Sequence, residues 1–190
     1  KGQQAYERYE FHVIYHAIYN YCTVDLSSFY LDVLKDRLYV SAPNSSGRRS
    51  AQTVIHTILD AIVRLMAPIL PFTAEEIWRY MPDQEGKKES VHMMSLPVGN
   101  AVWSNPALAR KWEHLIQVRG EVTKALEEAR ARKLVGHSLD ASVVISAFAD
   151  AYAALNAYAE DLRSIFIVSK ATLVEEEDVP EGAYASQDVE

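Results

Sequence analysis

The stretch MAPILPFTAEEIWRYMP, residues 66–82, constrains this chain more than any other. Three prolines interrupt an apolar run. Each removes a backbone donor and disfavours the α conformation in the residue before it. A long helix must therefore end near Ala67 and another begin within a few residues. Thr73, with Glu76 three positions on, has the form of a capping box, and Phe72 with Ile77 that of a hydrophobic staple. Pro82 closes the new helix after about two turns. The pattern predicts a specified corner between two packed helices.

The flanking sequence extends this reading. Residues 3–22 carry Phe11, Ile14, Tyr15, Ile18 and Cys22 at helical spacing. A second helix is expected to start at Asp25 or Ser27, both capping residue types. SAPNSSGRRS reads as a loop whose Ser45 or Ser46 caps a helix over about 48–67. DQEGKKES reads as a solvated linker, and a long helix is expected over about 107–133. The period then changes: Leu139, Ala141, Val143 and Ile145 alternate with Asp140, Ser142, Val144 and Ser146, as in a half-buried strand. Asp150 can cap a helix to Leu162, and SIFIVSKATLV reads as a second strand. Trp78 and Trp112, each on an apolar helix face, are expected to be buried. The fold class expected is mainly α: an antiparallel helical bundle over 1–135, then a small α+β (strand-helix-strand) unit over 136–174. Residues 175–190 are expected to form an acidic, disordered tail.

The chain has 190 residues and a net charge of −7, which argues against a nucleic-acid partner until its distribution is considered. Residues 171–190 hold seven acids and no Lys or Arg, so the other 170 residues are neutral, with 19 bases and 19 acids. Between Arg110 and Lys133 seven bases face four acids. One cysteine, Cys22, excludes an internal disulfide and a thiolate-rich zinc site, and fits a reducing, cytoplasmic setting. No apolar run approaches the roughly 20 residues that cross a bilayer, so no membrane partner is expected. The chain opens on Lys1 rather than methionine and reads as a monomeric piece of something longer.

Candidate sites are few. His12 and His16 stand at i, i+4, but Val13 occupies the position where a metallopeptidase needs glutamate, and no third ligand is near in sequence. They read as packed or solvated helix residues, with no metal. Tyr6, Tyr9, Tyr15, Tyr19, Tyr21 and Tyr30 could stack on bases, but their helical spacing among apolar neighbours reads as core and rim. Arg48, Arg49 and Gln52 open a helix. Cations in a first turn oppose the helix dipole, and free N–H groups there favour anions, so this end suits a phosphate or base edge. Lys124, Arg130, Arg132 and Lys133 could follow a phosphate backbone, or could pair with Glu121, Glu127 and Glu128. No catalytic constellation and no glycine-rich phosphate loop is present in the sequence, and no catalytic residue is assigned.

The segments YNYCTVDLSSFYLDVLKDRLY, RRSAQTVIHTILDAIVRLMAPILPFTAEEIW and ESVHMMSLP closely resemble the anticodon-binding region of isoleucyl-tRNA synthetases. ALEEARARKLVGHSLDASV and LRSIFIVSKATL resemble the junction that follows it. The likeness runs from Tyr6 to Leu173. The family's HIGH and KMSKS signatures, its editing domain and its cysteine-rich zinc module are absent from the chain. The resemblance implies a non-catalytic tRNA-binding fragment, without a cofactor of its own, that recognises the anticodon stem-loop of isoleucine tRNA. It also implies a parent whose catalytic domain uses ATP with Mg and whose zinc sites lie in missing modules. Arg48, Arg49 and Gln52 are the expected loop contacts, and Lys124, Arg130, Arg132 and Lys133 the expected backbone contacts. The alternative is a helical protein-docking module without RNA contact.

Overall fold

The computed structural model describes residues 2–176 and 182–186. The chain divides into two compact units, 1–100 and 101–190. The first has helices and no strand among its described residues; the second combines helices with a two-stranded parallel sheet. The expected helical bundle with a small appended α+β unit is the fold found.

The first unit opens with α1 (Gly2–Glu7) and α2 (Phe11–Asn20), where one continuous helix was expected. The break is at Tyr9, whose φ of 58° is left-handed. Tyr9 N–H donates to the Tyr6 carbonyl at 3.1 Å and Glu10 N–H to that of Ala5 at 2.8 Å. These two bonds are the Schellman closure, with tyrosine where glycine is usual. After α2 the backbone continues without a stop. Residues 21–30 are wound as a π-helix that runs into α3 (Leu31–Val33), followed by α4 (Lys35–Tyr39). The cap expected at Asp25 or Ser27 is therefore absent. Local hydroxyls serve the helix instead: Thr23 donates to the Tyr19 carbonyl at 2.8 Å, and Ser28 to that of Val24.

The helix α5 (Ser46–Met66) starts as expected, with the Ser45 hydroxyl accepting from Arg48 N–H at 3.3 Å. At the corner, α6 (Pro71–Tyr80) begins earlier than Thr73 would place it. Leu70 precedes it without a side-chain cap, and Phe72 is 89% exposed. The expected capping box and staple do not form, because Pro71 at the first helical position presets φ and has no N–H to satisfy. Met81 turns to ψ 140°, as the residue before a proline must, and ends α6.

This corner holds the core of the unit: Val63, Ala67, Ala74, Trp78, Met81 and Val91. Trp78 is 0% exposed, and its indole N–H donates to the Lys88 carbonyl at 2.8 Å. Lys87 donates to the Met81 carbonyl at 2.6 Å and lies 5.6 Å from the Trp78 ring centroid. Glu75 accepts from the Ser90 hydroxyl at 2.7 Å and from Val91 N–H at 3.2 Å. The Ser90 bond, aided by Val91 and against the effect of partial burial, holds the Glu75 carboxyl below its ordinary range. Arg64 reaches the Ser95 carbonyl through Nε at 2.9 Å and Nη2 at 2.6 Å, and Asp60 through Nη1 at 2.9 Å. Residues 83–95 are thus strapped onto α5 and α6, where a solvated linker was expected over 83–90.

In the second unit α7 (Pro106–Ala131) carries Pro106 at its first position, and the Asn105 side chain accepts from Leu108 N–H at 3.0 Å. Strand β1 (Ser142–Ala147) pairs in parallel with β2 (Lys170–Glu175), Ser142 opposite Lys170 and Ala147 opposite Glu175. A parallel pair needs a crossover. It is made by α8 (Ala149–Asn156) and α9 (Leu162–Phe166), where a single helix was expected. The second strand is correspondingly shorter than SIFIVSKATLV suggested, and Ile167 at φ 56° closes α9. Arg119 of α7 donates from Nε to the Ile165 carbonyl of α9 at 3.1 Å, so α7 packs with this unit. Residues 138–140 form a 3-10 turn, which leaves Leu139 outside the strand and exposed. Trp112 is half-buried rather than buried and lies 5.9 Å, ring centre to ring centre, from Tyr158. Of the tail expected to be disordered, residues 177–181 and 187–190 lie outside the described residues. Glu176 N–H extends the sheet to the Ala147 carbonyl at 3.0 Å, and Tyr184 contacts α7.

Candidate nucleic-acid interface

Of the seven basic and polar candidates, Arg48, Arg49 and Gln52 belong to the first unit and Lys124, Arg130, Arg132 and Lys133 to the second. At the start of α5 they divide by role. Arg48 is part-buried and turns back, donating from Nη1 to the Ser41 carbonyl at 3.1 Å. Its Nε is buried without a partner. This guanidinium ties the loop 41–45 to the helix that follows and is not displayed to solvent as a reader would be. Arg49 and Gln52 are exposed, and neither side chain has a hydrogen-bond or ion-pair partner among the described residues. Three positions apart on a helix, they share a face. No acid stands in the first turn of α5. The loop held by Arg48 is preceded by Tyr39, which is 82% exposed. Tyr39 lies outside the set of tyrosines at helical spacing in the sequence. Its position just before a loop was the available signal.

Along α7 the pattern is different. Lys124 pairs with Glu121 at 2.6 Å, Arg130 with Glu127 at 2.5 Å and Arg132 with Glu128 at 3.4 Å. These are i, i+3 and i, i+4 pairs, so of the two alternatives open in the sequence the row takes the self-neutralised one. Lys133, at φ 59°, terminates the helix with its side chain exposed and without a partner among the described residues. Glu121 is the exception to the exposed acids of this row, being 6% exposed. The Lys124 hydrogen bond lowers its pKa; burial opposes this, and bonds from Ser186 and Tyr184 lower it further.

Other features of the described residues carry less chemistry. An open groove of about 420 Å³ at the start of α7 is lined by Trp103, Leu108, Trp112 and their neighbours and by no charged side chain. His12 and His16 are exposed, and no group of three or more potential ligands converges among the described residues. None of the described helices is long and apolar enough to cross a membrane.

A displayed arginine–glutamine pair at a capped helix start, on a scaffold locked by a buried tryptophan, is a geometry suited to reading a nucleic-acid loop. Residues 1–145 match the family described as the anticodon-binding domain of tRNA ligase. The chain belongs to that family. It is 52% identical over 175 residues to an isoleucine–tRNA ligase of Syntrophotalea carbinolica, covering 92% of this chain and 19% of the relative. Similar proteins of the same name are found in Desulforamulus reducens, at 48% identity with 89% and 18% covered, and in Geobacter sulfurreducens, at 47% with 93% and 19% covered. The chain thus spans about a fifth of the length of the curated relatives it matches.

Proposed function

We propose that this chain recognises the anticodon stem-loop of isoleucine tRNA as the anticodon-binding part of an isoleucine–tRNA ligase. The observation that carries this reading is the unpaired Arg49–Gln52 face at the start of α5, in a chain of the anticodon-binding family. Single-stranded loops are read through splayed bases that stack on aromatics and hydrogen-bond along their edges. Arg49 offers a planar fork for a base edge or phosphate, Gln52 a donor and an acceptor on one amide, and Tyr39 a ring for stacking. Arg48 acts through the loop it holds, as a positioning residue.

Lys133 is available to the RNA backbone as it stands. Lys124, Arg130 and Arg132 reach phosphate only by leaving their carboxylates, so their contribution is weak and independent of sequence. In the parent polypeptide, a catalytic domain outside this chain joins isoleucine to the tRNA using ATP with Mg, and zinc belongs to modules beyond it. The chain itself contributes RNA recognition, as a cytoplasmic monomer without a cofactor. The side chains of Tyr15, Tyr19, Val24 and Leu31 are exposed. The exposure of these apolar side chains favours a second role alongside the first, docking against the parent's catalytic domain.

The test is a mobility shift of the purified chain with isoleucine tRNA and with a non-cognate tRNA. Tighter binding of the isoleucine tRNA is expected. Equal binding of both, or binding of neither, contradicts the reading.

A further inference from the structure

Glu121 lies in the middle of α7 with almost no surface, in a row whose other acids are solvent-exposed. A carboxylate leaves water at little cost only when it is paired and hydrogen-bonded. Both oxygens of Glu121 are engaged. Oε1 accepts from the Lys124 ammonium at 2.6 Å, and Oε2 accepts from the hydroxyl of Tyr184, 63 residues further along the chain, at 3.2 Å. The Ser186 hydroxyl donates to the same carboxylate. An i, i+3 pair in open water is weak and short-lived, because both side chains rotate and water competes. Here the carboxylate is fixed by a second segment, so its lysine partner is held as well.

We propose that residues 182–186 form a latch on α7: Tyr184 and Ser186 fix the Glu121 carboxylate, which holds the Lys124 ammonium in an ion pair that any other anion must displace. About half of the Lys124 side chain remains exposed. The latch thus governs the freedom of the ammonium rather than access to it. That the anion kept waiting is an RNA phosphate rests on the proposed function.

The latch is tested by competitive acylation of the full chain with an amine-directed acetylating reagent, with Lys124 measured against Lys111 of the same helix by mass spectrometry. Tyr184→Ala/Ser186→Ala is expected to raise the Lys124 rate about two- to fivefold, the span that an exposed pair's energy allows. Glu121→Ala should raise it at least as far. An unchanged Lys124 rate in either variant overturns the latch. A second arm separates the latch from the RNA reading. Affinity for isoleucine tRNA should rise in Tyr184→Ala/Ser186→Ala, and adding Lys124→Gln should abolish the rise. If acylation rises and RNA affinity does not, the latch stands and Lys124 is not a phosphate contact.

Discussion

The start of α5 and the basic row of α7 carry the same kinds of side chain and differ in what surrounds them. On α5, Arg48 is used up on the Ser41 carbonyl, and that leaves Arg49 and Gln52 displayed on a helix whose first turn has no acid. On α7, Lys124, Arg130 and Arg132 each have a carboxylate one turn away. A count of basic residues ranks α7 first. The local partners reverse that ranking, since a paired arginine must give up one anion to take another. The comparison teaches that recognition residues are found by asking which charges the fold leaves unsatisfied.

The largest expected effect strikes the corner at the C-terminal end of α5. Trp78→Ala removes a fully buried side chain, leaves the Lys88 carbonyl without its indole donor and takes away the ring beside the Lys87 ammonium. It should cost about 3–5 kcal/mol in urea unfolding of the chain. A loss below about 1 kcal/mol would show that the corner does not anchor α5.

Next come the proposed readers. Arg49→Ala/Gln52→Ala should weaken isoleucine tRNA binding by tenfold or more, the scale of losing one good charge-assisted contact set. Arg130→Gln/Arg132→Gln should cost no more than about threefold, as for exposed pairs. Equal losses in the two variants would erase the distinction between the surfaces. The converse substitution sharpens it. Glu127→Gln/Glu128→Gln frees two guanidiniums, so affinity should rise alike for cognate and non-cognate tRNA. The salt slope should steepen by up to about 1.8, at 0.7–0.9 per phosphate contact.

The smallest effect concerns pH. Glu75 and Glu121 both have folded pKa values below their ordinary range, one set chiefly by Ser90 and the other by Lys124. A depressed carboxylate contributes stability that is full above the unfolded pKa, near 4.3, and is lost as pH falls through the folded value. Thermal stability should therefore be flat with respect to these groups above about pH 5.5 and decline on acidification below about pH 4.5. Glu75→Gln and Glu121→Gln should each flatten part of that decline.

The legible parts of this fold were those written in backbone chemistry. Pro68, Pro71 and Pro82 forced the corner, Ser45 marked the start of α5, and alternation found β1. What escaped depends on partners distant in sequence. The α6 capping box looked complete within five residues, yet Pro71 made it unnecessary, and the neighbouring Glu75 went to Ser90 and Val91 instead. Lys87 read as linker surface until it met Trp78 and the Met81 carbonyl. The left-handed Tyr9 carries no local sign, because glycine is the residue expected there. At the candidate site, the Arg48–Arg49 pair was visible but its division of labour was not, since only the closed loop brings Ser41 to Arg48.

The central claim is that Arg49 and Gln52 read the loop whereas the α7 row only adheres to the backbone. The most direct measurement is the ratio of affinities for isoleucine tRNA and a non-cognate tRNA, in the unmodified chain, in Arg49→Ala/Gln52→Ala and in Arg130→Gln/Arg132→Gln, all at one salt concentration. The ratio should fall to near one in the α5 variant and stay at its unmodified value in the α7 variant. A ratio preserved in Arg49→Ala/Gln52→Ala would contradict the assignment of the reading surface to the start of α5.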